Sequence, residues 1–192
     1  IIMKGTYIFL ADGFEISEAL TTVNMLRRGG VNVKTVSIYD DRIVTSSNRI
    51  PVIADMAFGE FRASTSFGPC LKTDVMIFPG GMPGSENLRN HPGVCQAVKA
   101  QAARGGYIAA ICAAPSILGK KQLLSEKKAT CYPGFEDFCY GADMTGEKVT
   151  VDSKIITGRG PGAASEFGFT LASILKDTQT ANNLKEAMQY ND

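Results

Sequence analysis

The stretch Gly106–Gly119, GYIAAICAAPSILG, places a cysteine between two apolar segments. Tyr107 to Ile111 is typical of a buried strand, and the residues from Pro115 onward resemble a helix, since proline suits the first helical turn. Cys112 therefore stands where a strand feeds a helix through two small alanines. This is the pattern of a nucleophile elbow, a sharp turn that accepts only small neighbours around a strained residue.

The position of Cys112 before a helix bears on the ionisation of its thiol. Unpaired N–H groups and the macrodipole at a helix N-terminus favour an anion, so we expect the pKa of the Cys112 thiol to be lowered. The alternative is that Cys112 is a small buried core residue, as most lone cysteines are. Spacing alone leaves both interpretations open.

Composition indicates one compact domain spanning residues 1–192, with 44% hydrophobic residues and a formal net charge of +1. So small a net charge disfavours binding to nucleic acid or to an anionic membrane surface. No apolar run approaches the length needed to cross a bilayer, and the N-terminus lacks a signal-peptide pattern. We expect a cytoplasmic protein that engages neither nucleic acid nor membrane.

Cysteine and histidine content argues against a metal site and a disulfide framework. The five cysteines contain no Cys-x-x-Cys pair, and His91 is the only histidine. No cofactor-binding motif is present, so we expect no metal and no cofactor. The cysteines are Cys70, Cys95, Cys112, Cys131 and Cys139.

Alternating strand and helix patterns predict a doubly wound α/β fold with a mostly parallel sheet. The region 40–55 is typical of short strands with turns, and 58–72 of a loop or weak helix. The predicted strands are 6–10, 31–37, 74–78, 107–111 and a hairpin of 148–151 with 154–157; the predicted helices are 15–28, 92–103, 164–175 and 179–190.

Ligands in such sheets bind beyond the carboxyl ends of the strands, so three strand ends should share one crevice. They carry Asp12-Gly13, Gly80-Gly81 and Cys112. The Gly80-Gly81 amides would form either an anion pocket or a tight turn. Glu15 and Glu18 begin the first helix, where acids also complement the dipole. Glu18 lies on an otherwise apolar face, where it would be protonated and donate to a thiolate.

These residues resemble, in order and spacing over nearly the whole chain, the ThiJ/PfpI superfamily. The similarity is greatest to the branch of the bacterial YajL-like proteins and the parkinsonism-associated protein deglycase. Four motifs carry it: Leu10-Ala11-Asp12-Gly13-Phe14-Glu15 with Glu18; Phe78-Pro79-Gly80-Gly81; Ala109-Ala110-Ile111-Cys112-Ala113-Ala114-Pro115; and Thr157-Gly158-Arg159-Gly160-Pro161-Gly162 with Glu166-Phe167.

The resemblance implies a flavodoxin-like sandwich and a homodimer in contact through the first helix, which bears Arg27 and Arg28. It also implies an easily oxidised cysteine at Cys112 with Glu18 as its acid. The backbone pocket would be formed by Gly80, Gly81 and Ala113, and the loop Arg159 to Gly162, with Pro161, would line the site beside Glu15 and Tyr132.

Two departures from the superfamily concern histidine. The peptidase branch has a histidine directly after the nucleophile, where this chain has Ala113, so a peptidase is disfavoured. The deglycase branch has one where this chain has Tyr132, a poor general base at neutral pH.

His91 is expected to be a surface or helix-capping residue. Cys131 would resolve a sulfenate on Cys112 if it faced the pocket, or would point into the core.

Three functions remain open. The first is a cysteine-centred oxidative- and carbonyl-stress protein in which Cys112 is oxidised. The second is a cofactor-free glyoxalase or protein deglycase in which Cys112 and Glu18 act on methylglyoxal, another small carbonyl compound, or a glycated protein. The third is a dimeric chaperone or binding module in which Cys112 is incidental. Thiol reactivity separates the third from the others, and turnover of methylglyoxal separates the first two.

Overall fold

A computed structural model describes residues 5–64 and 74–190. Its strands are β1 (Thr6–Leu10), β2 (Val33–Ser37), β3 (Ile43–Thr45), β4 (Pro51–Ile53), β5 (Val75–Phe78), β6 (Tyr107–Ile111), β7 (Lys128–Ala129), β8 (Asp143–Met144), β9 (Val149–Asp152) and β10 (Ile155–Gly158). Its α-helices are α1 (Ile16–Arg28), α2 (Phe58–Ser64), α3 (Gly84–Asn90), α4 (Pro92–Ala103), α5 (Pro115–Gly119), α6 (Ala164–Leu175) and α7 (Thr178–Ala187), with 3₁₀ turns at Glu136–Phe138 and Pro161–Ala163.

The central sheet has the strand order β2-β1-β5-β6-β10-β9. All neighbours pair in parallel except β9, which pairs antiparallel with β10 at one edge. β1 and β5 are buried along their whole length, as expected for central parallel strands covered on both faces. The predicted flavodoxin-like α/β fold is confirmed.

Two apolar clusters fill the space between the sheet and its helices. On one face, Met25 of α1, Phe167 of α6 and Leu184 of α7 pack against the sheet, and Cys112 belongs to this cluster. On the other face, Phe61 of α2 and Val98 of α4 pack around a core that includes Cys131 and Cys139. The two faces therefore bury different cysteines.

Most predicted elements are present. α4 and β6 have the predicted bounds, α1 begins one residue later than expected, and the β9–β10 hairpin is confirmed. α3 was not predicted, and the helix after the elbow is only five residues long. Within 58–72, residues 58–64 form α2 and the rest lie outside the described ranges. No helix in the described ranges is long and apolar enough to cross a membrane.

Candidate active site

The carboxyl ends of β1, β5 and β6 meet in one crevice, as predicted. The Glu15 backbone N–H donates to the Gly80 carbonyl at 2.9 Å, which joins the segment after β1 to the segment after β5. Gly81 has a φ of +87°, and a β-carbon there would lie 2.4 Å from the Glu15 backbone nitrogen. Only glycine permits this close approach, so Gly81 fixes the distance between the two segments.

Cys112 occupies a strained elbow. Its φ is +66°, a region that residues with side chains rarely adopt. Its backbone N–H donates to the Gly158 carbonyl at 2.9 Å, and its carbonyl accepts from the Tyr132 N–H at 2.8 Å. Because both backbone groups are anchored, the surrounding strands hold the cysteine in this conformation. The predicted nucleophile-elbow geometry is present.

Three polar groups converge on the Cys112 sulfur. The backbone N–H groups of Gly81 and Ala113 are hydrogen bonded to it, and the carboxyl of Glu18 is hydrogen bonded to its thiol. The role predicted for the Gly80 amide is wrong, because it donates to Glu18 Oε2 at 2.7 Å instead. Gly80 nevertheless separates the two side chains: a β-carbon there would lie 2.5 Å from Cys112 Cβ and 2.7 Å from Glu18 Oε2.

Glu18 is completely buried on the inner face of α1. Burial is the main cause that raises its pKa from 4.5 to about 7, opposed by hydrogen bonds from Cys112 and Gly80. The other carboxyl oxygen, Oε1, has no nitrogen or oxygen donor within hydrogen-bonding distance among the described residues. The carboxyl can therefore hold or release a proton near neutral pH, and Oε1 is free to accept one.

Burial raises the pKa of the Cys112 thiol, and the neighbouring Glu18 carboxylate raises it further. The two backbone N–H groups at the sulfur oppose this increase without overcoming it. The predicted lowering of the thiol pKa is therefore wrong for the state with Glu18 ionised. The physical reason is that α5, with five residues, provides only a small dipole, whereas desolvation and a nearby negative charge both act directly on the sulfur.

Glu15 influences the site by capping helix α1, not by a hydrogen bond to the Cys112 sulfur. It is the N-cap of α1, where its Oε2 accepts from the Glu18 backbone N–H at 2.7 Å. Its negative charge also contributes to the raised pKa of Glu18. The capping interaction thus fixes the first turn of the helix, on which the buried carboxyl is placed.

The residues Tyr132, Arg159 and Pro161 line one cleft, with a volume of about 390 Å³. Cys112 and Glu15 do not line this cleft, so the structure separates predicted pocket residues into two neighbouring groups. The Arg159 guanidinium donates to the Gly146 carbonyl at 2.7 Å, and the exposed Tyr132 ring packs beside Gly160. The cleft is joined to the elbow through the Tyr132 backbone hydrogen bond.

The other sequence candidates have different roles. His91 caps α4, accepting from the Val94 N–H at 3.1 Å through Nδ1, which confirms the capping prediction. Cys131 is buried in the cluster on the opposite sheet face from Cys112 and is hydrogen bonded to Cys139. Its proposed role as the resolving thiol of Cys112 is therefore wrong, since the strand that precedes it turns its side chain into the other core.

Two contributions were not predicted from the sequence. Gly158 supplies the carbonyl that anchors Cys112, and a β-carbon there would come within 2.8 Å of Ile111. The thiol contact between Cys131 and Cys139 has no motif spacing that would reveal it. Within residues 5–64 and 74–190, no group of three or more His, Cys, Asp or Glu side chains is placed to hold a metal ion.

Known proteins share the fold that carries this strained cysteine elbow and buried acid. The family model described as "DJ-1/PfpI family" matches residues 4–174. The chain belongs to the DJ-1/PfpI family.

Relatives cover the chain almost completely. Protein DJ-1 homolog B of Arabidopsis thaliana is 37% identical over 93% of this chain, which spans 40% of that relative's length. The glutathione-independent glyoxalase DJR-1.2 of Caenorhabditis elegans is 28% identical over 87% of this chain and 86% of its own length.

Solved structures agree on the fold. A DJ-1 superfamily protein from Salmonella typhimurium superposes with a TM-score of 0.89 at 30% identity, covering 99% of this chain and 100% of the other. The structure of oxidized Toxoplasma gondii DJ-1 superposes with a TM-score of 0.88 at 34% identity, with the same coverage.

Proposed function

We propose that this protein is a cysteine-centred oxidative- and carbonyl-stress protein in which Cys112 is the oxidisable nucleophile. The observation that carries the proposal is the position of the sulfur, which is held at φ +66° with two backbone N–H groups and a buried carboxyl directed at it. These groups provide more hydrogen bonding than a structural core cysteine needs. A thiol in such a setting is suited to carry negatively charged oxygen.

Oxidation would proceed by attack of the Cys112 sulfur on an oxygen of hydrogen peroxide, with water leaving, to give a sulfenic acid. A second equivalent would give a sulfinate, whose oxygens find donors in the Gly81 and Ala113 N–H groups and in protonated Glu18. Because the pKa of Glu18 is about 7, its proton is available near neutral pH. The similar Toxoplasma gondii protein, solved as oxidized DJ-1, supports this proposal.

Intact mass spectrometry after mild peroxide tests the oxidation. We expect the parent protein to gain one and then two oxygen atoms, mapped by peptide analysis to Cys112. The Cys112→Ser variant should gain none under the same conditions. Oxygen added first to Cys95, the partly exposed thiol on α4, would contradict the proposal.

A second candidate function is a cofactor-free glyoxalase or deglycase acting on methylglyoxal or its protein adducts. The specific observation in its favour is a carboxyl with a pKa of about 7 in contact with the nucleophile. Addition of the sulfur to an aldehyde forms a hemithioacetal, and a proton that moves between the adjacent carbons converts it into a thioester of the hydroxy acid. Water then cleaves the thioester, which releases the hydroxy acid and the Cys112 thiol. Glu18 is suited to accept and return that proton. The similarity to a protein named as a glutathione-independent glyoxalase also supports it.

Turnover separates the two candidates. We expect lactate to form from methylglyoxal in the parent protein if the second function holds, and Glu18→Gln to lower the rate by about 10²-fold or more. Oxidation of Cys112 without any lactate would leave the first function alone. If Cys112→Ala protects a partner protein from aggregation as well as the parent does, the third function, a dimeric chaperone or binding module, is favoured.

A further inference from the structure

Two buried thiols lie together on the sheet face opposite Cys112. Cys131 follows β7, and Cys139 ends the 3₁₀ turn Glu136–Phe138. Their residues are 4% and 2% exposed, and they pack into the same apolar cluster, from which Cys112 is absent. Their side chains are hydrogen bonded to each other. They therefore form a thiol pair separate from the candidate active site.

The two thiols have different contacts and therefore differ in how readily they lose a proton. The Cys131 thiol also lies 3.4 Å from the Tyr132 carbonyl, to which it can donate. The hydrogen bond from Cys131 lowers the pKa of Cys139, whereas the same contact and burial raise the pKa of Cys131. Because the Cys131 thiol can donate its proton to the Tyr132 carbonyl, we assign Cys131 as the thiol that keeps its proton and Cys139 as the attacking sulfur.

The chain between the two cysteines is mostly exposed. The exposed residues of the segment 131–139 lie between the two cysteines, and Tyr140 beyond them is also exposed. This segment contains the short 3₁₀ turn Glu136–Phe138 but no α-helix. Both thiols therefore flank an exposed segment of irregular chain.

We propose that Cys131 and Cys139 form a second, dithiol redox site, which a hydroperoxide oxidises to an intramolecular disulfide independently of Cys112. The Cys139 thiolate attacks the peroxide oxygen, and with one proton supplied this gives a sulfenic acid and water. The Cys131 sulfur then attacks the Cys139 sulfur, the S–O bond breaks, and a second water leaves with the Cys131 proton. In total, two thiols and one hydrogen peroxide give one disulfide and two waters.

The disulfide would connect to the candidate active site through Tyr132. This residue directly follows Cys131, its N–H donates to the Cys112 carbonyl at 2.8 Å, and its ring lines the cleft beside the elbow. Closing the loop 131–139 restricts the segment that carries this ring. Oxidation of the dithiol therefore constrains one wall of the cleft without modifying Cys112.

The test uses the full-length Cys112→Ala protein. The protein is treated with hydrogen peroxide, denatured in the presence of N-ethylmaleimide so that free thiols are alkylated, and then digested. Trypsin places both cysteines on one peptide, 129–148, since Lys128 and Lys148 flank them. We expect this peptide to escape alkylation and to be lighter by two hydrogen atoms than the same peptide with both thiols free. Cleavage after Glu136 should leave its two parts joined until a reductant is added.

Variants make the result specific. Cys139→Ser in the Cys112→Ala background should abolish the linkage and leave Cys131 alkylatable, while Cys95→Ser should leave the linkage intact. Full alkylation of both thiols at a peroxide dose that oxidises Cys112 completely in the parent would overturn the proposal. A linkage between Cys131 and Cys112, or a disulfide that forms only when Cys112 is present, would also overturn it.

Discussion

The carboxyl of Glu18 and the sulfur of Cys112 are hydrogen bonded to each other across the backbone of Gly80. The Glu18 carboxylate raises the pKa of the Cys112 thiol, because two adjacent negative charges repel in a poorly solvated site, whereas the neutral thiol lowers the pKa of Glu18 by donating to its carboxylate. The pair therefore releases one proton near pH 7 and retains the second to much higher pH. The charge on Glu18 sets how readily the sulfur ionises.

Glu18→Gln should increase alkylation of Cys112 at pH 8. The substitution removes the carboxylate that raises the thiol pKa, and each unit of decrease gives about tenfold more thiolate. We expect iodoacetamide labelling at pH 8 to be faster than in the parent by on the order of tenfold. The ratio should shrink at pH 6, where Glu18 in the parent is mostly protonated.

The control is Glu86→Gln, because Glu86 is an exposed residue on α3 that pairs with Arg89. In the Glu86→Gln variant, the rate of Cys112 labelling should depend on pH as it does in the parent. Equal rates for the parent and Glu18→Gln across the whole pH range would show that Glu18 does not influence the sulfur.

The same variant should change how stability depends on pH. The folded Glu18 has a pKa of about 7 against 4.5 in the unfolded chain, so the folded state holds its proton more tightly. As pH rises from about 4.5 to about 7, the parent loses up to about 3 kcal/mol of unfolding free energy from this group. Glu18→Gln lacks this loss.

Urea denaturation of the parent and Glu18→Gln at pH 5 and pH 8 measures the effect. The variant should gain stability relative to the parent as the pH rises, and other titrating groups cancel in the comparison. Parallel stability curves would mean that Glu18 keeps an ordinary pKa in the folded protein.

The fold and the centre of the site were predictable from local patterns. The strand Tyr107–Ile111 and the helix Pro92–Ala103 follow from apolar runs and a proline at the first turn, and the small residues around Cys112 indicate the elbow. Glu18 was identified because one acid interrupts an apolar helix face. Each of these signals lies within a short stretch of chain.

Features that depend on distant segments were not predictable. The thiol pKa depends on how deeply α1 and β6 bury the sulfur, and burial opposes the effect of the helix N-terminus. The side on which Cys131 lies depends on where β7 pairs, since a one-residue change of register reverses the face. The helix Gly84–Asn90 has no side-chain cap to mark its start.

Gly80→Ala should disable the site while the fold persists. A β-carbon at Gly80 would lie 2.9 Å from the Cys112 sulfur and 2.7 Å from Glu18 Oε2, closer than van der Waals contact allows. We expect a loss of about 1–3 kcal/mol in unfolding free energy and a marked decrease in the rate of peroxide oxidation of Cys112. Denaturation and intact-mass kinetics measure the two effects.

Gly59→Ala is the matched control, since a β-carbon there has no neighbour within 4 Å. Its oxidation rate should equal that of the parent, and its stability should be unchanged or slightly higher because alanine favours the helix α2. If Gly80→Ala oxidises Cys112 at the parent rate, the close packing around Gly80 is not needed for reactivity.

The surface beside the first helix predicts a dimer. The β3–β4 hairpin lies against the start of α1, with the Ser47 N–H donating to the Phe14 carbonyl at 2.9 Å. Large apolar side chains are exposed here, including Ile53 at 79% and Ile43 at 53%, which are paired in register. A contiguous patch of exposed apolar side chains is typical of a protein interface, so we expect one here.

Arg27 and Arg28 of the first helix have partners within the chain, and their role in a dimer contact stays a prediction. The Arg27 guanidinium donates to Asp55 at 2.6 Å, and Arg28 donates to Asn24 at 3.2 Å. We expect a twofold partner to cover the first helix, where Leu20 is exposed, together with the apolar hairpin beside it. A twofold contact would pair each patch with its own copy.

We expect the parent protein to be a dimer by light scattering at micromolar concentration, and Ile53→Asp to convert it to a monomer, because a charge at the centre of an apolar contact must be desolvated without a partner. Val151→Asp is the control: Val151 is 48% exposed on β9, the strand at the opposite edge of the sheet. That variant should remain a dimer. A monomeric parent would contradict the prediction, and a dimer that survives Ile53→Asp would place the contact on another surface.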